Sequence, residues 1–179
     1  MEFNSNKQSV YAANIFSLAE QNKNEVFYNS SAEHAAIVHQ ALMKTAHKYV
    51  YIFSSSMCSE ISNNTDYLEY LKDFLKEKEH IIRIVLTDYN DAFFRMPVAK
   101  LLTEYPFQVS IKKYPGKVFY NSHPSHFTVT DDKAFRLETD IENHMAFGNF
   151  NSPSQAIALR EVFDKIFQSE LAIEVSPCN

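Results

Sequence analysis

An α/β fold is what this sequence predicts, and three observations carry the prediction. Continuous apolar, β-prone runs at Tyr49–Phe53 and Ile81–Leu86 have the composition of strands covered on both faces. Amphipathic helical patterns separate such runs. A cluster of shorter strand patterns and one last helix then close the chain.

The chain has 179 residues, enough for one domain with a proper core and too few for two ordinary ones. Apolar residues make up 45% and aromatic residues 14%, material enough to offset chain entropy, so order is expected outside the ends. We expect residues 1–23 to form an extension with a short accessory helix, residues 24–168 a single domain, and residues 169–179 a loose tail. Tyr11, Ile15, Leu18 and Ala19 fall at helical spacing within the extension.

The run Glu25–Tyr28 reads as a short strand. Ser30 with Glu33 three residues later has the spacing of a capping box, followed by a helix whose face is Ile37, Val38, Ala41, Leu42 and Ala46. His34 and His39 stand five apart on it, roughly 140° around a helix, and cannot point the same way. After Tyr49–Phe53 the serines Ser54, Ser55 and Ser56 end the strand. Leu68, Leu71, Phe74 and Leu75 mark the next helix, in which Tyr67 and Tyr70 read as packing residues, and Cys58 ahead of it as a small core residue. Ala92–Glu104 repeats the helical pattern, with Pro97 either kinking it or lying in a first turn. Val109–Ile111 supplies a third strand, and short strands follow at Val118–Tyr120, His126–Thr130, Ala134–Leu137 and Met145–Phe147. Ser152, Pro153 and Gln155 open the last helix, with Ala156, Leu159, Phe163 and Ile166 on its buried face.

Composition also excludes function classes. Gly116 and Gly148 are the only glycines, so neither GxGxxG nor a Walker-type phosphate loop can be present. The net charge of −5 confines any binding of nucleic acid to a local basic patch, for which Lys112, Lys113 and Lys117 around Tyr114 are the candidates. Cys58 and Cys178 make neither a disulfide framework nor a zinc spacing. The N-terminus has no signal-like region and no run approaches a bilayer span, so a cytoplasmic protein with no membrane partner and no cofactor is expected.

Two stretches, FYNSSAEHAAIVHQALMKTAHKYVYIFSSS and HPSHFTVTDDKAFRLETD, resemble the phospholipase D superfamily: the first its opening helix and apolar strand, the second its catalytic segment. The resemblance covers about 145 residues and implies one half of the superfamily fold, a mixed sheet flanked by helices. The family pattern is HxKxxxxD followed by GSxN. Aligned on FTVTDDK, Asp131 stands at the motif aspartate, His126 at the lysine and Pro124 at the attacking histidine. Glu138, Thr139 and Ile141 fall at the usual GSxN spacing, whereas Gly148, Asn149, Phe150 and Asn151 match that element better after an insertion. With the attacking histidine and the lysine gone, the resemblance implies a rewritten site and a noncatalytic, degenerate member. It also implies a homodimer, a protein or phosphorylated partner, and a bacterial accessory role in antiviral defence.

The alternative is an atypical phosphodiesterase or nuclease. His123, one residue before the aligned nucleophile position, or His126 would act with Asp131, Glu138, Asn149 and Asn151, and Ser125 lies beside them in the sequence. A histidine next to a carboxylate can be nucleophile or base. Strand alternation lets His126 face Glu138 across a strand pair. Ligand type alone would also allow a divalent ion on His126, Asp131, Glu138 and Asp140, although no metal is expected. Against all of these stands a structural reading: Asp131–Lys133 as a hairpin turn, Arg136 with Glu138 as an ion pair, and Asn149 and Asn151 as the approach to a capped helix.

Overall fold

The computed structural model describes residues 2–176. Helix α1 (Glu2–Glu20) leads to strand β1 (Val26–Ser30), helix α2 (Ala32–Thr45), strand β2 (Tyr49–Ser54), the single turn α3 (Ser59–Ser62), helix α4 (Thr65–Leu75) and strand β3 (Ile81–Leu86). A 3-10 turn at Asp91–Arg95, helix α5 (Pro97–Thr103) and strand β4 (Val109–Lys113) follow. The second half holds β5 (Val118–Tyr120), β6 (His123–Thr130), β7 (Ala134–Asp140), β8 (Met145–Asn149), helix α6 (Pro153–Phe167) and β9 (Ile173–Glu174).

One mixed sheet runs in the order β1-β8-β7-β6-β2-β3-β4-β9, with β5 paired to the start of β6. Strands β2, β3 and β4 are parallel, joined by crossovers through α4 and α5, and all other pairings are antiparallel. Alternation along the buried strands divides the core in two. Val50, Ile52, Ile82, Ile84 and Leu86 pack against Leu71, Phe74 and Leu102 of the helices on one face. Tyr51, Phe53, Val85, Phe127 and Phe135 meet Phe163 and Phe167 of α6 on the other. Helix α1 lies outside α2, with Ile15 and Ala19 buried against Val38 and Leu42.

Local rules account for most boundaries, and the exceptions are informative. Ser31, not Ser30, caps α2 and accepts from the His34 amide, because Ser30 is still paired to Met145 in the sheet. The pattern over 92–104 divides: Pro97 occupies the first position of α5, and the residues before Met96 form a 3-10 turn. The tail expected to be loose beyond Gln168 instead adds a strand, Lys112 and Lys113 pairing with Glu174 and Ile173. The edge of β4 offers free backbone groups, and two residues of the tail suffice to take them.

Asp131 and Asp132 open the three-residue turn 131–133 between β6 and β7 at φ 54° and 52°. Both are left-handed, as a turn matching the strand twist requires. The Asp131 carboxylate accepts from the amides of His47, Lys48 and Tyr49 at 2.7, 2.8 and 3.1 Å. It thereby clamps the hairpin to the connection between α2 and β2. Asp131→Ala removes three charge-assisted hydrogen bonds and leaves an alanine in left-handed backbone, so we expect a loss of about 3 kcal/mol or more in urea unfolding. The amide spectrum around His126, at the far end of β6, should be unchanged.

Candidate functional site

Beneath α2 the buried face of β6 and β7 is polar where its neighbours are apolar. His126, Thr128 and Thr130 alternate inward on β6, and Arg136 and Glu138 inward on β7. The antiparallel register sets His126 opposite Glu138, the cross-strand pairing that alternation predicts, and Thr128 opposite Arg136. Asn29 enters the same layer from β1 through an alternating pattern in which Phe27 is the neighbouring inward residue.

These groups form one network around the Glu138 carboxylate. Arg136 Nη2 donates to Oε1 at 2.8 Å and His126 Nδ1 lies 3.0 Å from Oε2. His144, in left-handed backbone just before β8, brings its Nδ1 to 3.3 Å from Oε1. Arg136 Nε donates to Asn29 Oδ1 at 3.0 Å, and Asn29 Nδ2 donates to the His144 carbonyl. Burial pushes the Glu138 carboxyl up, yet the hydrogen bond from His126 and the charge and hydrogen bond of Arg136 outweigh it and hold the group at about 2. With Glu138 ionised, His126 Nδ1 carries the proton and donates it, which fixes the tautomer.

The network lines a small, partly open cavity of about 90 Å³, whose walls include His39 of α2, Tyr67 of α4 and the Ser54–Ser56 loop. That volume admits a few water molecules and falls short of the roughly 300 Å³ at which ligand pockets begin. Burial, then the charge of Arg136, push His39 down to about 3, with Glu138 pulling the other way. On the far side of His126 a more open cleft of about 400 Å³ shares Phe53, Ser55, His126 and Ile141 with the cavity.

The remaining sequence candidates lie apart from this network. Asp131 is five residues from His126 along an extended strand, roughly 17 Å away, and its carboxylate is held by backbone amides. Asn149 pairs opposite Phe135, at the Asp131 end of the sheet, where it donates to Asn24 Oδ1 and accepts from the Asn151 amide. Asn151 donates to the Asn22 carbonyl. The cluster of His126 with Asp131, Asn149 and Asn151 is therefore not assembled, because the insertion before Gly148 becomes a hairpin that sets that element beside Phe135. His123 is exposed and lines a broad groove with Tyr120 and Met145. Ser125 is buried, its hydroxyl on the His123 carbonyl. Asp140 accepts from Asn143 in the β7–β8 turn, so the four-ligand metal set is not assembled either, and no described group of three or more His, Cys, Asp or Glu could hold a metal. Of the basic patch, Lys112 donates to the Phe167 carbonyl at the end of α6 and lies over the Phe167 ring, leaving Lys113 and Lys117 exposed.

Sequence reasoning missed His39, Asn29 and His144. For His39 a signal existed: it falls one helical turn from the buried Ala35 and Leu42 and two turns from Ala46. His34 points elsewhere and stacks on Tyr11. His144 carries no sequence signal, since its place depends on the path of the turn.

A depressed histidine makes stability depend on pH. Above the ordinary value of 6.5 neither state binds the proton at His39; below it the unfolded chain does and the folded one does not until about 3. Stability should fall by up to about 1.4 kcal/mol per pH unit on acidification through that window, and His39→Leu should flatten the slope between pH 6.5 and 4.5 in urea titrations. Glu138 adds its own loss only below the ordinary carboxylate value of 4.5.

The fold is that of several solved structures. The chain is similar to TrmBL2, an archaeal chromatin protein whose structure shows a novel mode of DNA binding, at 12% identity and a TM-score of 0.57, with 97% of this chain matched to 65% of that one. It is similar to NucT from Helicobacter pylori at 13% identity and TM-score 0.56, matching 86% of this chain to 99% of that one. Phosphatidylserine synthase of Haemophilus influenzae Rd KW20 follows at 8% identity and TM-score 0.55, with 84% and 39% matched. The chain thus spans less than two thirds of the TrmBL2 and synthase chains. At such identities the likeness shows the fold, the phospholipase D-like α/β sheet flanked by helices. No curated protein matches the chain. Residues 31–173 match the family described as "Domain of unknown function (DUF7931)".

Proposed function

This chain belongs to that family, DUF7931, and we propose that it is a noncatalytic phospholipase D-like domain that acts by binding, as an accessory protein. One observation carries the reading: the carboxylate that would serve a reactive histidine is buried and consumed by Arg136, His126 and His144 together. A group so partnered, with its pKa held at about 2, keeps its charge at neutral pH and does not shuttle protons. Pro124 stands at the position aligned with the attacking histidine, on an exposed stretch paired with Phe119.

A second reading has its own support. A histidine held by a carboxylate through Nδ1 is the arrangement that activates a nucleophile or base, and His126 has it with Glu138 at 3.0 Å. A phosphodiesterase would then use His126 and Glu138, without the Asp131 and Asn151 that the sequence suggested. Purified protein tested on single-stranded DNA, RNA and a chromogenic phosphodiester, with and without divalent metal, separates the two. We expect no cleavage above background, and none altered by His123→Ala. Turnover that drops about 100-fold or more in His126→Ala would establish the enzyme and overturn the binding reading.

The binding reading includes a homodimer. Tyr28 on β1, Met145 on β8 and Phe119 and Tyr120 on β5 are large, apolar and exposed, and Tyr120 packs on Phe147 of β8. Tyr28, Met145 and Tyr120 lie on the α6 face of the sheet beyond the reach of that helix, with Phe119 on the opposite side of β5, an apolar surface of the kind that subunits cover. Tyr28→Glu should convert a dimer to a monomer in light scattering while preserving the circular dichroism; an unchanged mass would remove this face from the interface. DNA is a poorer partner. The net charge is −5 and Lys112 is engaged with α6, so the DNA binding described for TrmBL2 has little electrostatic footing here. A bacterial antiviral setting rests on the family resemblance alone.

A further inference from the structure

Strand β1 pairs with β8 alone, so its five residues form an open edge of the sheet. The edges at β9 and β5 are only two and three residues long. Backbone groups point alternately to the two sides of a strand, so one set of β1 residues bonds β8 and the other faces away from the sheet. The Tyr11 hydroxyl identifies the outward set. It donates to the Tyr28 carbonyl at 2.9 Å from outside the sheet, so the N–H and C=O groups of Val26, Tyr28 and Ser30 turn outward and those of Phe27 and Asn29 meet β8. Apart from that one bond, no described residue pairs with the outward groups.

Open edges are normally blunted by charge, proline or a bulge. Val26–Ser30 contains no charged residue and no proline, and its register with β8 is unbroken. Val26 and Tyr28 are 54% and 71% exposed and stand on one face of the strand. What such an edge accepts is another strand, which alone offers donors and acceptors at the matching spacing. The pattern is also self-complementary. With Tyr28 opposite Tyr28 of a second copy, Val26 falls opposite Ser30, every outward N–H meets an outward C=O, and no charge faces another. The two Tyr28 rings then stand side by side on the α6 face as a cross-strand aromatic pair.

We propose that a second copy of this chain pairs along the β1 edge, antiparallel about a two-fold axis at Tyr28, so that two sheets become one. The Tyr11 hydroxyl gives way there to the Tyr28 amide of the second copy. The inference rests on the binding reading, for which it supplies the mode of self-association, and it adds a consequence for the site. β1 runs in the direction of β2, with Ser30 at the end of the sheet that carries His126 and Glu138. Antiparallel pairing turns the two His126–Glu138 networks to opposite ends of the joined sheet, and neither copy completes the site of the other. The edge itself precedes residues 31–173, the stretch that matches the family.

Sedimentation equilibrium of the full chain from micromolar to millimolar concentration, with amide hydrogen exchange in the same samples, tests this. We expect a dimer whose Tyr28 and Ser30 amides exchange more slowly as concentration rises, while Phe27 and Asn29, bonded to β8, are protected at every concentration. Val26→Pro deletes one outward N–H per copy at an edge position that tolerates proline, and should weaken association about tenfold or more with unchanged circular dichroism. Should that variant misfold, the exchange of Tyr28 and Ser30 in the wild-type chain decides by itself. A monomer at millimolar concentration overturns the proposal, and so does a dimer that leaves those amides as fast as in the monomer or that persists unweakened in folded Val26→Pro. The last two results would move the contact to the apolar surface of Met145 and Tyr120. None of the three touches the noncatalytic reading, which the cleavage assay decides separately.

Discussion

A charge buried under a helix organises this molecule. Glu138 lies in the middle of the sheet, 5% exposed, and an isolated carboxylate there would be strongly unfavourable. It is tolerable because Arg136 comes from two residues earlier on the same strand, His126 from directly across, and His144 from the turn that follows. Removing one partner would leave the opposite charge stranded, so β6, β7 and the β7–β8 turn are bound to a single register. Asn29 extends the constraint to β1, which is why a short edge strand far away in the chain takes a fixed place against β8.

The same constraint divides space on either side of His126. On one side the carboxylate network, His39 and Tyr67 line a cavity of about 90 Å³; on the other the loops after β2, β3 and β4 leave a cleft of about 400 Å³. The Glu138 carboxylate is thus turned inward and fully partnered, while His126 borders both spaces.

Much of the layout was legible before any coordinates. The apolar runs at Tyr49–Phe53 and Ile81–Leu86 became parallel strands, since a sheet covered on both faces needs apolar residues at every position. Period-two alternation on β6 and β7 placed His126 against Glu138. Spacing within the motif proved a poor guide to proximity. Asp131, Asn149 and Asn151 stand near His126 in any alignment, yet a strand advances about 3.3 Å per residue and carries Asp131 to the opposite end of the sheet. Equally, nothing in the composition after Gln168 distinguished a loose tail from a two-residue strand, because that strand is selected by the unpaired edge of β4 and not by its own residues.

Sequence alone therefore determined what depends on neighbours within a few residues or on strict periodicity: the main helices and strands, the two faces of the strands, the Asp131–Lys133 hairpin turn and the absence of glycine-rich phosphate loops. Tertiary structure decided what depends on distant segments meeting. It brought His39 and Asn29 to the Arg136–Glu138 pair and drew Lys112 to the end of α6. The reason is physical: periodicity fixes which way a side chain points, whereas the burial and partners that set its chemistry come from elements tens of residues away.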